Sequence, residues 1–405
     1  MTYDPLTYDI AAFRAHFPAL AKGASHFDGP GGSQVPDVVA DAIRDALTAG
    51  VSNRGLVTPA ERYADDVVRQ ARSAMADLLG ADPNGIVFGR SMTSLTFDLA
   101  RTIAKTWRPG DEVVVSRLDH DANVRPWVLA AQAVGAVVRW AEFDAATGEL
   151  PVDNVTDHLS QRTRLVAVTA ASNLIGTRPD VAAIAAGVHA AGALLYVDGV
   201  HLTAHAPVDV SALGADFYAC SPYKFLGPHC GVLAGRVDLL DQLRPDKLLP
   251  STDLVPERFE LGTLPYELLA GTTAAVDFIA TLAPAPAAVR RARLVAAMTA
   301  VQEHEDGLRE SIERGLAELP DVVLHSRAAL RTPTLLLSFH GREASKAYEF
   351  LAMLDVYAPA GSFYALEASR FLGLGDGGGL RIGLAPYTDQ SDVDRLLAGL
   401  VEFLG

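Results

Sequence analysis

Cysteine is nearly absent from the 405 residues: the chain has two, Cys220 and Cys230, within one short segment. They make no disulfide framework. No apolar run reaches the roughly 20 residues that span a bilayer. The N-terminus, MTYDPLTYDIAAFRAHFPAL, carries early acids rather than a charged stretch followed by an apolar one, so no secretory signal is read. Basic residues are in deficit, with Lys+Arg 34 against Asp+Glu 49 and a formal net charge of −15. That balance argues against nucleic acid or an anionic membrane surface as a partner. There is no internal repeat and no low-complexity tract. A cytoplasmic globular protein is expected.

What is present is apolar: 49% of residues, against 20% charged. This is core enough for two domains. GIVFGR (85–90), DEVVVSRL (111–118), AVVRWAEF (136–143), TRLVAVTAAS (163–172), ALLYVDGV (193–200), DFYACSP (216–222) and GVLAGR (231–236) read as buried strands. Between them SLTFDLARTIAKTW, NVRPWVLAAQAVG and DVAAIAAGVHAAG have helical spacing. The alternation predicts an α/β fold with a mostly parallel sheet covered by helices on both faces. Its ligand belongs at the carboxyl ends of the strands. After about residue 280 a Pro/Ala connection leads into a long helix, and VVLHS, PTLLLSF and LRIGLAP read as short strands. A smaller C-terminal α+β domain is expected there. The expected division is 1–24 as a segment packing with the small domain, 25–280 as the large domain and 281–405 as the small one. DGGG at 376–379 reads as a loop.

The stretch DFYACSPYKFLGPHCG (216–231) sets Lys224 among small, aromatic and apolar residues. Lysine is seldom buried, and desolvation lowers its pKa until a neutral, nucleophilic amine is present. Other polar groups fall at predicted strand ends: Asp198 and His201 after LLYV, Ser221 after FYAC, Asn173 after VTAAS, Asp119 and His120 after VVVSRL. Singly, each has an ordinary reading as a cap, a hydrogen-bonded histidine or a lysine reaching for solvent. Asp198, His201 and His205 also share a helix face, the pattern of a metal-dependent hydrolase, but such a site wants further ligands and no metal is expected.

Together, an acid, a lysine, a histidine and a phosphate cradle on one parallel sheet are what pyridoxal phosphate requires. The lysine forms a Schiff base with its aldehyde. A carboxylate beside the pyridine nitrogen, at ~4 Å and an effective dielectric of ~20, holds it protonated by about 4 kcal/mol. The protonated ring is then an electron sink. GRSMTSLTFDL (89–99) offers hydroxyls and a helix N-terminus to the phosphate.

These residues resemble a family. FDGPGGSQVP, NRG (53–55), FGRSMTS (88–94), LDHDANVRPW (118–127), ASNLIGT (171–177), YVDGVHLTAHAPVDV (196–210), SPYKFLGP (221–228), FELGT (259–263) and LRIGLAPYTDQSDVDRLL run in the order of the class V aminotransferases, PLP fold type I. The likeness is nearest the cysteine desulfurase and selenocysteine lyase branch. The resemblance implies Lys224 as Schiff-base lysine, Asp198 at the pyridine nitrogen and His120 stacked on the ring. His201 stands where the family has Gln, near the ring hydroxyl. Ser91, Met92, Ser221 and Tyr223 would surround the phosphate, Tyr223 in place of a histidine. Thr263 would reach the neighbouring subunit's phosphate in a homodimer. Arg381, Asn173, Arg54 and Tyr364 would meet a small amino-acid substrate, Arg381 by gripping its α-carboxylate.

One departure matters. Desulfurases carry a nucleophilic thiol on a C-terminal loop, and the corresponding VYAPAGSFYALEASRF (356–371) has no cysteine; the position falls at or beside Tyr364. Cys220 and Cys230 read as packing residues. The expectation is a PLP-dependent lyase or aminotransferase acting on an α-amino acid without a persulfide-forming cysteine. Phe363, Tyr364 and Tyr357 suggest an aromatic wall to its side-chain pocket. The alternatives are a desulfurase with an unusual thiol, an amino-acid epimerase and a non-catalytic partner protein of the same fold.

Overall fold

A computed structural model describes residues 9–282 and 289–405. Seven strands form the central sheet: β1 (Ile86–Gly89), β2 (Glu112–Ser116), β3 (Val137–Ala141), β4 (Thr163–Thr169), β5 (Leu194–Asp198), β6 (Phe217–Cys220) and β7 (Gly231–Gly235). Their order is β1-β7-β6-β5-β4-β2-β3. Only β7 runs against its neighbours β6 and β1; the other pairings are parallel. All seven strands read from the sequence are present.

Side chains alternate faces along a strand. Val114, Val166, Val168, Leu195, Val197 and Tyr218 join one apolar cluster, with the helices Pro59–Leu79, Val181–Ala190 and Tyr266–Ile279. Val113, Val115, Leu165, Ala167, Tyr196 and Phe217 join another, under α1 (Met92–Ala104) and α2 (Arg125–Val134). Both faces are therefore dry, which is why these strands read as continuous apolar runs rather than alternating ones.

The C-terminal part carries a four-stranded antiparallel sheet: β8 (Val322–Leu324), β9 (Thr334–Phe339), β10 (Ala360–Gly361) and β11 (Gly379–Gly383), in the order β10-β11-β9-β8. The long helix Arg290–Ala317 and the final helix Gln390–Leu404 close its core. The Pro/Ala connection lies largely outside the described residues. Gly379, read as loop, begins β11. Ser25–His26, assigned above to the large domain, pair in parallel with Val356–Tyr357, and Asp28 bridges Gly383. The chain thus runs alongside the C-terminal part before entering the central sheet. Residues 9–24 touch both regions: Phe17 packs on Phe278 and Tyr387, and Arg14 pairs with Asp389 and Asp392. No helix among the described residues is long and apolar enough to cross a membrane.

Candidate active site

Parallel strands aim their carboxyl ends at one edge, and the polar residues read from the sequence gather there. β5 ends on Asp198, β6 runs into Ser221 and the turn Pro222–Lys224, β4 leads to Asn173 and β2 to His120. β11 brings Arg381 from the smaller sheet. A cavity of about 620 Å³ is lined by Lys224, Asp198, His120, His201, Asn173 and Arg381, and also by Ser91, Met92, Ser221, Tyr223 and Tyr364.

Lys224 Nζ donates to the Pro30 carbonyl at 2.5 Å and lies 4.6 Å from the Tyr223 ring centre. Burial, with the nearby Arg381 cation, pulls its pKa down to about 7 against the opposing pull of Asp198. Burial pushes the Asp198 carboxyl up to about 6, while the Val200 N–H, at 2.9 Å, and the Lys224 charge hold it down. An acid and an amine in one cavity thus both titrate near neutrality, a signature of functional sites. His120 Nδ1 accepts the Ala122 N–H at 3.0 Å. Burial and the Lys224 and Arg381 charges hold it to about 4, so the ring is neutral with its proton on Nε2. Beside it Asp119, fully enclosed, is pushed up to about 8 by burial despite hydrogen bonds from Ser116 and from Asn123 Nδ2, the latter at 2.6 Å.

Arg381 is buried. Its Nη1 donates to the Asn173 carbonyl at 3.0 Å, and its Cζ lies 3.6 Å from the Phe363 ring centre. Desolvation lowers it to about 9. Arg381 Nε and Asn173 Oδ1 are buried without a hydrogen-bond partner, and among the described residues no carboxylate pairs with this guanidinium. A buried cation with an idle donor is costly unless something completes it; a ligand carboxylate would.

Also on the lining, Ser91 caps α1, its Oγ accepting the Ser94 N–H at 3.1 Å. The Met92 and Thr93 N–H groups of the first turn have no intrahelical acceptor. They lie at the positive end of a 13-residue helix. A Cβ on Gly231 would lie 2.2 Å from the Ser91 carbonyl carbon, so only glycine lets β7 pass this close to the cap. The donor set suits a phosphate: helix amides, Thr93 and Ser221 on the lining, and Tyr223. With an amine near pKa 7 and a carboxylate enclosed beside it, the residues fit pyridoxal phosphate.

Two residues named from the sequence do not line this cavity, one of them expected at a neighbouring subunit's. Arg54 does not line the cavity; it pairs with Asp65 at 2.8 Å and Glu257 at 3.2 Å, so its charge is already satisfied. Thr263 is exposed and off this chain's cavity. His205, grouped above with possible metal ligands, bonds Glu305 Oε2 through Nδ1 at 2.9 Å, and no group of three potential ligands holds metal-site geometry among the described residues. Sequence reasoning missed Pro30 and Gly31, carried in by the N-terminal strand, and Arg125 on the cavity lining, which stood within the quoted LDHDANVRPW. It also missed Thr332 and Thr334, whose hydroxyls lie 3.0 and 2.9 Å from His201 Nε2; nothing local signals a pairing across 131 and 133 residues of chain.

The profile of the aminotransferase class-V family matches residues 25–396. The chain belongs to the class V aminotransferase family. This class V member is 33% identical to the uncharacterized protein MT3887 of Mycobacterium tuberculosis over 98% of its own length and 99% of that protein's. It is 32% identical to the cysteine desulfurase CsdA of Escherichia coli, over 96% of each chain. The crystal structure of CsdA superposes with a TM-score of 0.85 at 29% identity, covering 98% of this chain and 99% of that one. The fold is accordingly PLP fold type I, and the family places the chain among pyridoxal-phosphate-dependent enzymes of the lyase and transferase kind.

Proposed function

We propose that this class V enzyme acts at the α-carbon of a small α-amino acid, as a lyase or aminotransferase, without a persulfide-forming cysteine of its own. One observation carries the reading: Lys224, Asp198 and Arg381 line one cavity, and neither cysteine does. Cys220 and Cys230 are buried, and burial pushes the first thiol well up and the second to about 11. A thiolate is the nucleophilic form, so both are poor nucleophiles. On the loop after β10, where desulfurases carry their thiol, this chain presents Phe363 and Tyr364.

When bound, pyridoxal phosphate supplies an aldehyde for an amine and a ring that draws electrons from the substrate α-carbon. Asp198 would hold the ring nitrogen and favour its protonated form, His120, neutral, would meet the ring without adding charge, and His201 would donate to its hydroxyl. Ser91, Met92, Ser221 and Tyr223 would hold the phosphate. Arg381 orients the substrate through its carboxylate, Asn173 Oδ1 accepts from the substrate side, and Tyr364 walls the side-chain pocket. Lys224, with its amine near neutrality, removes the α-proton. Thr263, exposed here, serves the phosphate of a second copy, so the working form is a homodimer.

The deciding experiment offers the cofactor-loaded protein a panel of amino acids and reads products by mass spectrometry. Ammonia with a keto acid marks a lyase. A keto acid with amino transfer to the cofactor marks an aminotransferase. Inverted amino acid would install the epimerase reading instead, and persulfide trapped on Cys220 or Cys230 would restore a desulfurase. Turnover of none would overturn the proposal.

A further inference from the structure

His201 is buried and lines the cavity. Its Nε2 lies between the Thr334 and Thr332 hydroxyls at 2.9 and 3.0 Å, neither of which lines the cavity. Its Nδ1 makes no hydrogen bond within the described residues. A neutral imidazole has one donor and one acceptor nitrogen, so the partners of one nitrogen decide what the other offers.

The two hydroxyl protons decide it. Thr334 Oγ1 is fully buried, off the cavity lining, and His201 Nε2 is its one hydrogen-bond partner among the described residues. Thr332 Oγ1 has a second acceptor, the Gly176 carbonyl, but at the longer distance of 3.3 Å. With the proton on Nε2, the Thr334 hydroxyl hydrogen would be buried with no acceptor. With Nε2 as acceptor, Thr334 donates to its single lone pair, Thr332 has the Gly176 carbonyl as acceptor, and no hydrogen is stranded. His205 cannot compete for that nitrogen: its ring packs edge-on against His201 at 4.7 Å, and its Nδ1 is committed to Glu305.

We propose that Thr334, seconded by Thr332, fixes His201 as the tautomer whose Nδ1–H faces the cavity and donates to the oxygen on the cofactor ring. The threonines are positioning residues: they touch neither cofactor nor substrate. The opposite tautomer would set a nitrogen lone pair against that oxygen. The small sheet therefore supplies two groups to the cofactor site, Arg381 on β11 toward the substrate and the start of β9 toward the ring, so separating the two parts would release both. This inference rests on the reading of the cavity given under Proposed function.

The test is nitrogen NMR of the ¹⁵N-histidine-labelled, cofactor-loaded enzyme, with the His201 signals identified as those lost in His201→Gln. The expected result is a protonated Nδ1 and an acceptor Nε2; a proton on Nε2 overturns the proposal. Thr332→Val/Thr334→Val keeps the volume and removes both hydroxyls. It is expected to weaken pyridoxal phosphate binding about tenfold, the size of one hydrogen bond to a charged group, and to move the visible absorption band. Thr332→Ser/Thr334→Ser is expected to restore both. Wild-type affinity and band in the valine pair, or no rescue by serine, overturns the assignment; should the valine pair not fold, the NMR result on the unsubstituted enzyme decides alone. An enzyme that turns over no amino acid yet shows the expected tautomer refutes the proposed reaction and leaves this inference standing.

Discussion

The amine of Lys224 is held in a place that suits chemistry and costs stability, and Lys224→Met measures that cost. Burial takes its pKa from 10.5 to about 7 in the folded chain. Between those values the unfolded chain binds a proton that the folded one does not, so stability of the cofactor-free protein rises with pH across this window and levels off above it. The full shift corresponds to roughly 5 kcal/mol at low pH and roughly 3 kcal/mol at pH 8. Two effects reduce it. Water reaches the ammonium through the open cavity, and methionine removes the hydrogen bond to the Pro30 carbonyl, worth about 1 kcal/mol. The net expectation is that cofactor-free Lys224→Met is about 1–3 kcal/mol more stable than the unsubstituted protein at pH 8. The advantage should shrink toward zero as pH passes 10.5. Urea unfolding at several pH values measures it. A variant less stable at pH 8, or an advantage that does not vary with pH, refutes the desolvated-lysine argument.

Other outcomes follow from the same geometry. Arg381→Ala should raise KM for any amino-acid substrate by about a hundredfold or more, the loss of a buried charged hydrogen-bond pair; an unchanged KM would mean the carboxylate is held elsewhere. Because the Lys224 amine is neutral above about pH 7, uptake of pyridoxal phosphate by the cofactor-free protein should accelerate from pH 6 to pH 8, and a flat profile in stopped-flow absorbance would contradict that. Asp198→Asn should lower turnover by orders of magnitude while leaving the cofactor bound, read as activity per bound chromophore. Cys220→Ser and Cys230→Ser should leave turnover intact in the same assay, since neither thiol reaches the cavity.

How much of this was legible in the chain has a physical pattern. Six strands of the central sheet could be read because a doubly covered sheet imprints long apolar runs, whereas the edge strand β3, exposed at alternate residues, was legible from its valines and Trp140; the strand-end position of Asp198, Ser221 and His120 follows from where those runs stop. Lys224 stood out because a lysine in an apolar segment breaks a strong rule of burial. Whatever depends on one local run of chain was thus fixed by the sequence itself. Only tertiary structure could show that Arg54 is spent on Asp65 and Glu257, since an arginine's partners lie on other elements. The same holds for the pairing of Ser25–His26 with Val356–Tyr357 and for the Thr332 and Thr334 hydroxyls around His201. Hydrogen bonds between distant segments leave no periodicity behind, so the chain names the groups that do chemistry while packing decides which way they point.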